Sequence, residues 1–200
     1  MCIRDSMRDD LFAIPLRKYH LDNNDDFLDY YNQIWEENKF DAPSPFFNSI
    51  TQLPPTLTQC YADLIEGFLT DIRLYDTHGC AISGILLKCL EKGESTDRSD
   101  TLPSHYTAIH YVDVQNGDTS DIFHHPCRTM INAFRPAMVD EWKEAAGLYI
   151  NSGDVIIFPS YMEHSSPMNR KSKNRVTVTL PLVLEENEQG RETNIKEPTS

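Results

Sequence analysis

Two hundred residues, 40% of them apolar and 10% aromatic, suffice for one domain with a real core and make a second compact unit unexpected. A formal charge of −13 argues against nucleic-acid binding through a broad basic surface and says little else about partners. No apolar run approaches the length of a bilayer span, and the first residues carry neither a basic n-region nor an apolar h-region, so a cytoplasmic protein without membrane contact is expected.

In chain order, Met1-Cys-Ile-Arg-Asp-Ser6 looks foreign to the fold and resembles a translated sequencing-adaptor leader, with Met7 as the expected start. A short strand is predicted over Leu11–Leu16, placed at a sheet edge by Pro15. Asp25–Asn38 has helical spacing, with Phe27, Tyr30, Tyr31, Ile34 and Trp35 on one stripe and Asn24 and Asp25 as candidate caps. A loop is expected over Asp41–Pro55. A second helix starts at Pro55-Thr56 and runs to about Leu74, with Leu57, Tyr61, Leu64, Ile65, Phe68, Leu69 and Ile72 at three- and four-residue steps. Both stripes read as core faces packed on a sheet.

Beyond the second helix the pattern turns to short strands. They are predicted over Ala81–Leu90, His105–Val114, Thr119–His124, Leu148–Ile150, Asp154–Ser160 and Arg175–Leu184, with a turn at Glu91–Glu94. Helices followed by closely spaced strands indicate an α+β chain with an antiparallel sandwich or barrel, and periodicity alone leaves a jelly roll and an immunoglobulin-like sandwich both open. From Glu185 the chain is polar and almost free of large apolar residues, so 185–200 reads as a disordered tail after a single domain over 7–184. The five cysteines are odd in number and lack C-x-x-C spacing, which predicts free thiols in a reducing compartment rather than a disulfide framework or a zinc site.

The chemistry concentrates in Gly153-Asp-Val-Ile-Ile-Phe-Pro-Ser-Tyr-Met-Glu-His164 and Arg175-Val-Thr-Val-Thr-Leu-Pro-Leu182. The first is a turn, a short β-branched strand and a rim histidine. In the second, alternation puts Arg175, Thr177 and Thr179 on one face and Val176, Val178 and Leu180 on the other. The apolar face needs a core, while the polar face faces either solvent or a pocket. A guanidinium suits bidentate pairing with a carboxylate.

These two stretches resemble the C-terminal half of the Fe(II)/2-oxoglutarate-dependent oxygenases, closest to a small phage and marine-microbial group. That group's pattern runs G-D-hydrophobic-F-P-S-x-x-x-H, a loop, then R-hydrophobic-S/T. The resemblance implies a double-stranded β-helix (a jelly-roll relative) with the N-terminal helices packed on one sheet. It implies Fe(II) and 2-oxoglutarate as cofactors, a small-molecule co-substrate, and a substrate it leaves open. His164 matches the distal iron ligand, and Arg175 and Thr177 match the pair that holds the far carboxylate of 2-oxoglutarate. Tyr111 is the preferred tyrosine to join them, since alternation places it with Thr107 and Ile109.

The family's proximal H-x-D or H-x-H falls on Ser99-Asp100-Thr101, whose outer residues are not usual iron ligands. Three readings follow. Asp100 supplies the carboxylate after a small register shift, or His105 swings in as a second imidazole, or the domain has lost its metal and binds a carboxylate ligand without catalysis. The bland readings are a turn-capping Asp100 and a rim His105. His110 reads as a packed, hydrogen-bonded core histidine. His124 and His125 are adjacent in a strand and cannot easily chelate one ion together.

Overall fold

The computed structural model describes residues 16–38, 46–115, 118–126 and 145–187. The leader 1–6, the strand predicted over Leu11–Leu16 apart from Leu16, and residues 188–200 of the polar tail lie outside them. The described elements are β1 (Arg17–His20), α1 (Asn24–Asn38), β2 (Phe46–Ser49), α2 (Pro55–Asp71), β3 (His78–Ile82), β4 (Leu86–Leu90) and β5 (Tyr106–Asp113). They continue with β6 (Asp118–Thr119), β7 (Ile122–His124), β8 (Ala145–Ala146), β9 (Tyr149–Ile150), β10 (Asp154–Pro159), β11 (His164–Ser165) and β12 (Arg175–Glu186).

The helices form where their apolar stripes predict. In α2, Pro55 occupies the first turn, where a missing N–H costs nothing. The helix ends at Asp71 rather than near Leu74, because Arg73 turns into the left-handed region at φ 60°. Asn24 does not cap α1 with its side chain. It reaches β5 instead, donating to the Val112 carbonyl at 2.9 Å and accepting from the His110 ring at 2.9 Å.

The large sheet runs in the order β1-β10-β5-β12-β4-β2, with β3 pairing the far end of β12, and every pairing is antiparallel. A second sheet runs β11-β7-β8, and β6 pairs with β9. One face of the large sheet takes both helices: Phe27, Tyr31, Tyr61, Phe68 and Leu69 pack with Ala108, Val112, Val155, Ile157, Val176, Val178, Leu180 and Leu182. Its other face packs Ile109, Tyr111, Ile156 and Phe158 against Phe123, Ile150 and Met162. The architecture is the α+β double-stranded β-helix, with the helices on the outer face of one sheet.

Three predicted strands differ in extent. Ala81–Leu90 is two strands, because Pro181 of β12 has no N–H to continue the ladder. Its carbonyl takes the Ser83 N–H at 2.9 Å instead, and β12 changes partner there from β4 to β3. Thr119–His124 divides at Ser120-Asp121 into β6 and β7, which belong to different sheets. The last strand extends past Leu184, since Glu185 and Glu186 pair with Gly79 and His78. The expected loop before Pro55 contains β2, which pairs with β4.

His110 is fully buried, and both its ring nitrogens are engaged, by the Tyr61 hydroxyl at 2.9 Å and by Asn24. Burial pushes its pKa from 6.5 down to about 3, so it is neutral in the fold. Below pH 6.5 the unfolded chain gains a proton there that the folded chain refuses. The stabilisation is complete above pH 6.5 and is lost as pH falls towards 3, by on the order of 4 kcal/mol. Urea unfolding against pH should show this limb, and His110→Gln should flatten it; an unchanged slope in the variant would contradict the assignment.

Gly153 sits at φ +91°, its N–H on the Tyr111 carbonyl and its carbonyl on Leu21 N–H, both at 2.9 Å. A Cβ there would lie 2.9 Å from His20 Cε1 and 3.0 Å from the Leu21 carbonyl oxygen. Gly153→Ala should cost on the order of 2 kcal/mol, read as a lower urea midpoint at an unchanged m-value.

Candidate functional site

The polar face of β12 points inwards. Thr177 stands between Tyr111 on β5 and Lys88 on β4, making one row of side chains across three strands. Arg175 precedes it by two residues on the same face, with its Cζ 5.5 Å from the centre of the Tyr111 ring. Arg175 is 5% exposed and Thr177 is fully buried, which excludes solvent and sets both side chains in the interior.

The facing layer delivers the counter-charge. Asp121, just before β7, is fully buried, and its N–H donates to the Tyr111 hydroxyl at 3.0 Å. Ser166, just after β11, donates to Asp121 Oδ1 at 2.7 Å and accepts from Lys88 Nζ. Lys88 Nζ and Arg175 Nη2 each lie 3.4 Å from the Asp121 carboxylate, and Arg175 Nη1 donates to the Thr119 carbonyl at 2.8 Å. Burial alone would raise the Asp121 pKa, but Lys88, Arg175 and Ser166 together hold it below the usual carboxylate range. Burial pulls the Lys88 ammonium down, opposed by Asp121. Among the described residues, two buried side-chain polar atoms remain without a partner: Arg175 Nε and Thr177 Oγ1.

His164 lies on the second sheet with its ring edge-on to Phe158, centroids 5.1 Å apart. Its Nδ1 donates to the Met162 carbonyl at 3.3 Å, the only role open to a ring nitrogen facing a carbonyl. Burial lowers its pKa, which favours the neutral imidazole, with the lone pair on Nε2. The segment before β5 runs antiparallel to the His164 segment. Ser99 and His164 exchange N–H···O bonds of 3.0 and 2.8 Å, and Thr101 N–H reaches Ser160 O at 3.2 Å. Ser99 therefore stands directly across from His164, on the same face.

The structure brings Arg175, Thr177 and Tyr111 into one cluster and places His164 on the opposing layer. Asp100 acts on the His164 ring as a nearby charge, while the hydrogen bonds of Asp100 and His105 run to other partners. Asp100 is exposed and its carboxylate faces the Leu102 N–H two residues on, at 3.4 Å, as a turn cap. His105 is exposed, and its Nδ1 accepts the Leu184 N–H at 3.0 Å. Among the described residues, no three His, Cys, Asp or Glu side chains converge on a common point. His124 lies beside Ser165, its Nε2 3.3 Å from the hydroxyl.

Sequence reasoning missed Lys88, Asp121 and Ser166. A lone lysine inside the apolar run Ile85-Leu-Leu-Lys-Cys-Leu90 was a usable signal for the first. Asp121 and Ser166 lie in polar connecting stretches and carry none.

A model of the family described as "Putative 2OG-Fe(II) oxygenase" matches residues 88–180. No curated protein matches the chain. Among solved structures, the fold is similar to the non-heme alpha ketoglutarate dependent carbocyclase SnoK from nogalamycin biosynthesis, at TM-score 0.63 and 13% identity, covering 94% of this chain and 89% of that one. It is also similar to the viral collagen prolyl hydroxylase of Paramecium Bursaria Chlorella virus-1, at TM-score 0.56 and 10% identity, over 84% and 94% of the two chains. A Pseudomonas putida prolyl-4-hydroxylase aligns at TM-score 0.54 and 11% identity, over 90% and 96%. The resemblance read from the sequence thus holds: residues 88–180 match a family of 2OG-Fe(II) oxygenases, enzymes whose cofactors are Fe(II) and 2-oxoglutarate, and the fold is that of solved enzymes dependent on 2-oxoglutarate.

Proposed function

We propose that this chain is a 2-oxoglutarate-dependent oxygenase in which Arg175 and Thr177 take the far carboxylate of 2-oxoglutarate. The reading rests on one observation. Arg175 Nε and Thr177 Oγ1 are buried, adjacent in phase and unpartnered. A buried polar group without a partner costs about 1–3 kcal/mol, so this pair needs an acceptor that the protein itself does not provide. A carboxylate offers the guanidinium and the hydroxyl that acceptor at once. Tyr111 serves as the wall beneath Arg175, and its hydroxyl is held by the Asp121 N–H.

The co-substrate half of the site fits its group, and the metal half does not. His164 presents a neutral imidazole suited to a metal, but the described residues add no second and third ligand. Ser99 occupies the position across from it. That specific feature favours a second reading, a domain that binds 2-oxoglutarate without metal chemistry. The substrate class stays open in either case. A reducing compartment such as the cytoplasm suits the free thiols of Cys60, Cys80 and Cys89.

Anaerobic calorimetry with 2-oxoglutarate, with and without Fe(II), tests both readings. Arg175→Lys keeps the charge but loses the planar fork, and should weaken 2-oxoglutarate binding about tenfold or more. Thr177→Val should weaken it by about 1 kcal/mol. Equal binding by Arg175→Lys, or none by the wild type, would overturn the co-substrate assignment. A visible charge-transfer band with Fe(II), abolished in His164→Ala and accompanied by succinate formation in air, supports the oxygenase. Arg175-dependent binding with neither band nor succinate establishes the second reading.

Ser99 and Thr101 also make the metal question constructive. If the backbone frame around His164 is intact, Ser99→His with Thr101→Asp should complete a two-histidine, one-carboxylate set. Co(II) absorption should then show a high-affinity site in the double variant that His164→Ala removes. No gain of Co(II) binding in the folded variant would contradict this register.

A further inference from the structure

Lys88 and Asp121 lie beside the orphaned pair, with side chains 7% and 0% exposed. Two cations, Lys88 and Arg175, share the one carboxylate of Asp121, and both direct contacts are 3.4 Å long. Asp121 is held by other groups, namely the Ser166 hydroxyl at 2.7 Å and the Tyr111 hydroxyl on its N–H at 3.0 Å. It is therefore a fixed internal counter-ion, placed too far away to satisfy the guanidinium, whose Nε stays free. Two cations and one carboxylate leave the cluster with a formal charge of plus one. In so enclosed a place, unbalanced charge is poorly screened. A singly charged anion brings the cluster to neutrality, whereas a dianion overshoots it.

We propose that Lys88 and Asp121 are specificity-determining residues for the anion that enters the Arg175 corner. By setting its formal charge at plus one, they select an end group with one negative charge, a carboxylate, over a dianionic phosphoryl or phosphonyl group. This rests on the reading of the corner as the 2-oxoglutarate site and adds what that reading leaves open: which residues set the charge of the ligand accepted. Ser166 is the positioning residue, since its hydroxyl accepts from Lys88 and donates to Asp121.

The test is calorimetric titration of 2-oxoglutarate and of its phosphonate analogue, 2-oxo-4-phosphonobutyrate, at a pH where the phosphonate is dianionic. Wild type, Asp121→Asn, Lys88→Met and the double variant are compared, with near-UV circular dichroism reporting the fold. The wild type should prefer 2-oxoglutarate by about tenfold or more. Asp121→Asn should move that ratio towards the phosphonate by about tenfold, and Lys88→Met should weaken both ligands. The double variant, again at plus one, should return the ratio to near the wild-type value. A merely structural role for the pair would not restore selectivity in this way.

A folded Asp121→Asn whose ratio stays at the wild-type value overturns the proposal, and so does a double variant that keeps the ratio of Asp121→Asn. Should the single variant not fold, the double variant decides alone: a wild-type ratio supports the proposal and a lost preference overturns it. Failure of the underlying reading looks different, because then the wild type binds no 2-oxoglutarate or binds it equally well with Arg175→Lys.

Discussion

The central strands of the large sheet are buried on both faces, and most of what is distinctive in this chain follows from that constraint. A sheet with one wet face can carry polar side chains on alternate positions at no cost. Here the helices cover one face and the smaller sheet the other. Every residue of β10 is buried, which is why Val155–Pro159 reads as an unbroken apolar run. The polar positions of β12 and β4 are buried as well, so Arg175, Thr177 and Lys88 must find partners inside the protein or in a ligand.

The two sides of the sheet meet that demand differently. On the helix side, His110 is the polar intruder, and its two nitrogens are fully matched by Tyr61 and Asn24. Such a satisfied network can be rigid and inert. On the inner side the matching is incomplete. Asp121 balances part of the charge of Lys88 and Arg175, while one guanidinium nitrogen and one hydroxyl remain open. Unfinished pairing in an otherwise well-matched interior separates this cluster from the His110 network.

Around His164 the backbone frame is regular, while the described side chains supply no group of three metal-ligand types. The Ser99 segment pairs with the His164 segment in a register that sets residue 99 directly opposite the imidazole. Backbone hydrogen bonding places that strand whatever its side chains are. A serine can therefore stand across from His164 without disturbing the fold, and the carboxylate of Asp100 turns outward to its own loop.

The sequence by itself determined the helices, most strands and the shared face of Arg175 and Thr177, because periodicity is a local property that survives wherever one face is buried; that this face points inwards was decided by the tertiary packing. It also carried the oxygenase resemblance and the reading of His110 as a core residue. Strand ends were decided by tertiary pairing: Pro181, in one strand, breaks another, and Ser120-Asp121 sends its two flanks to different sheets. The same holds for the site. Asp121, Ser166 and Lys88 come from three separate stretches of chain, and only the packing of one sheet on the other makes them neighbours. Asp100 and His105 were candidates because the family's proximal motif falls beside them in the chain. In the fold, Asp100 faces the Leu102 amide and His105 accepts from the Leu184 amide, partners that no motif position reveals.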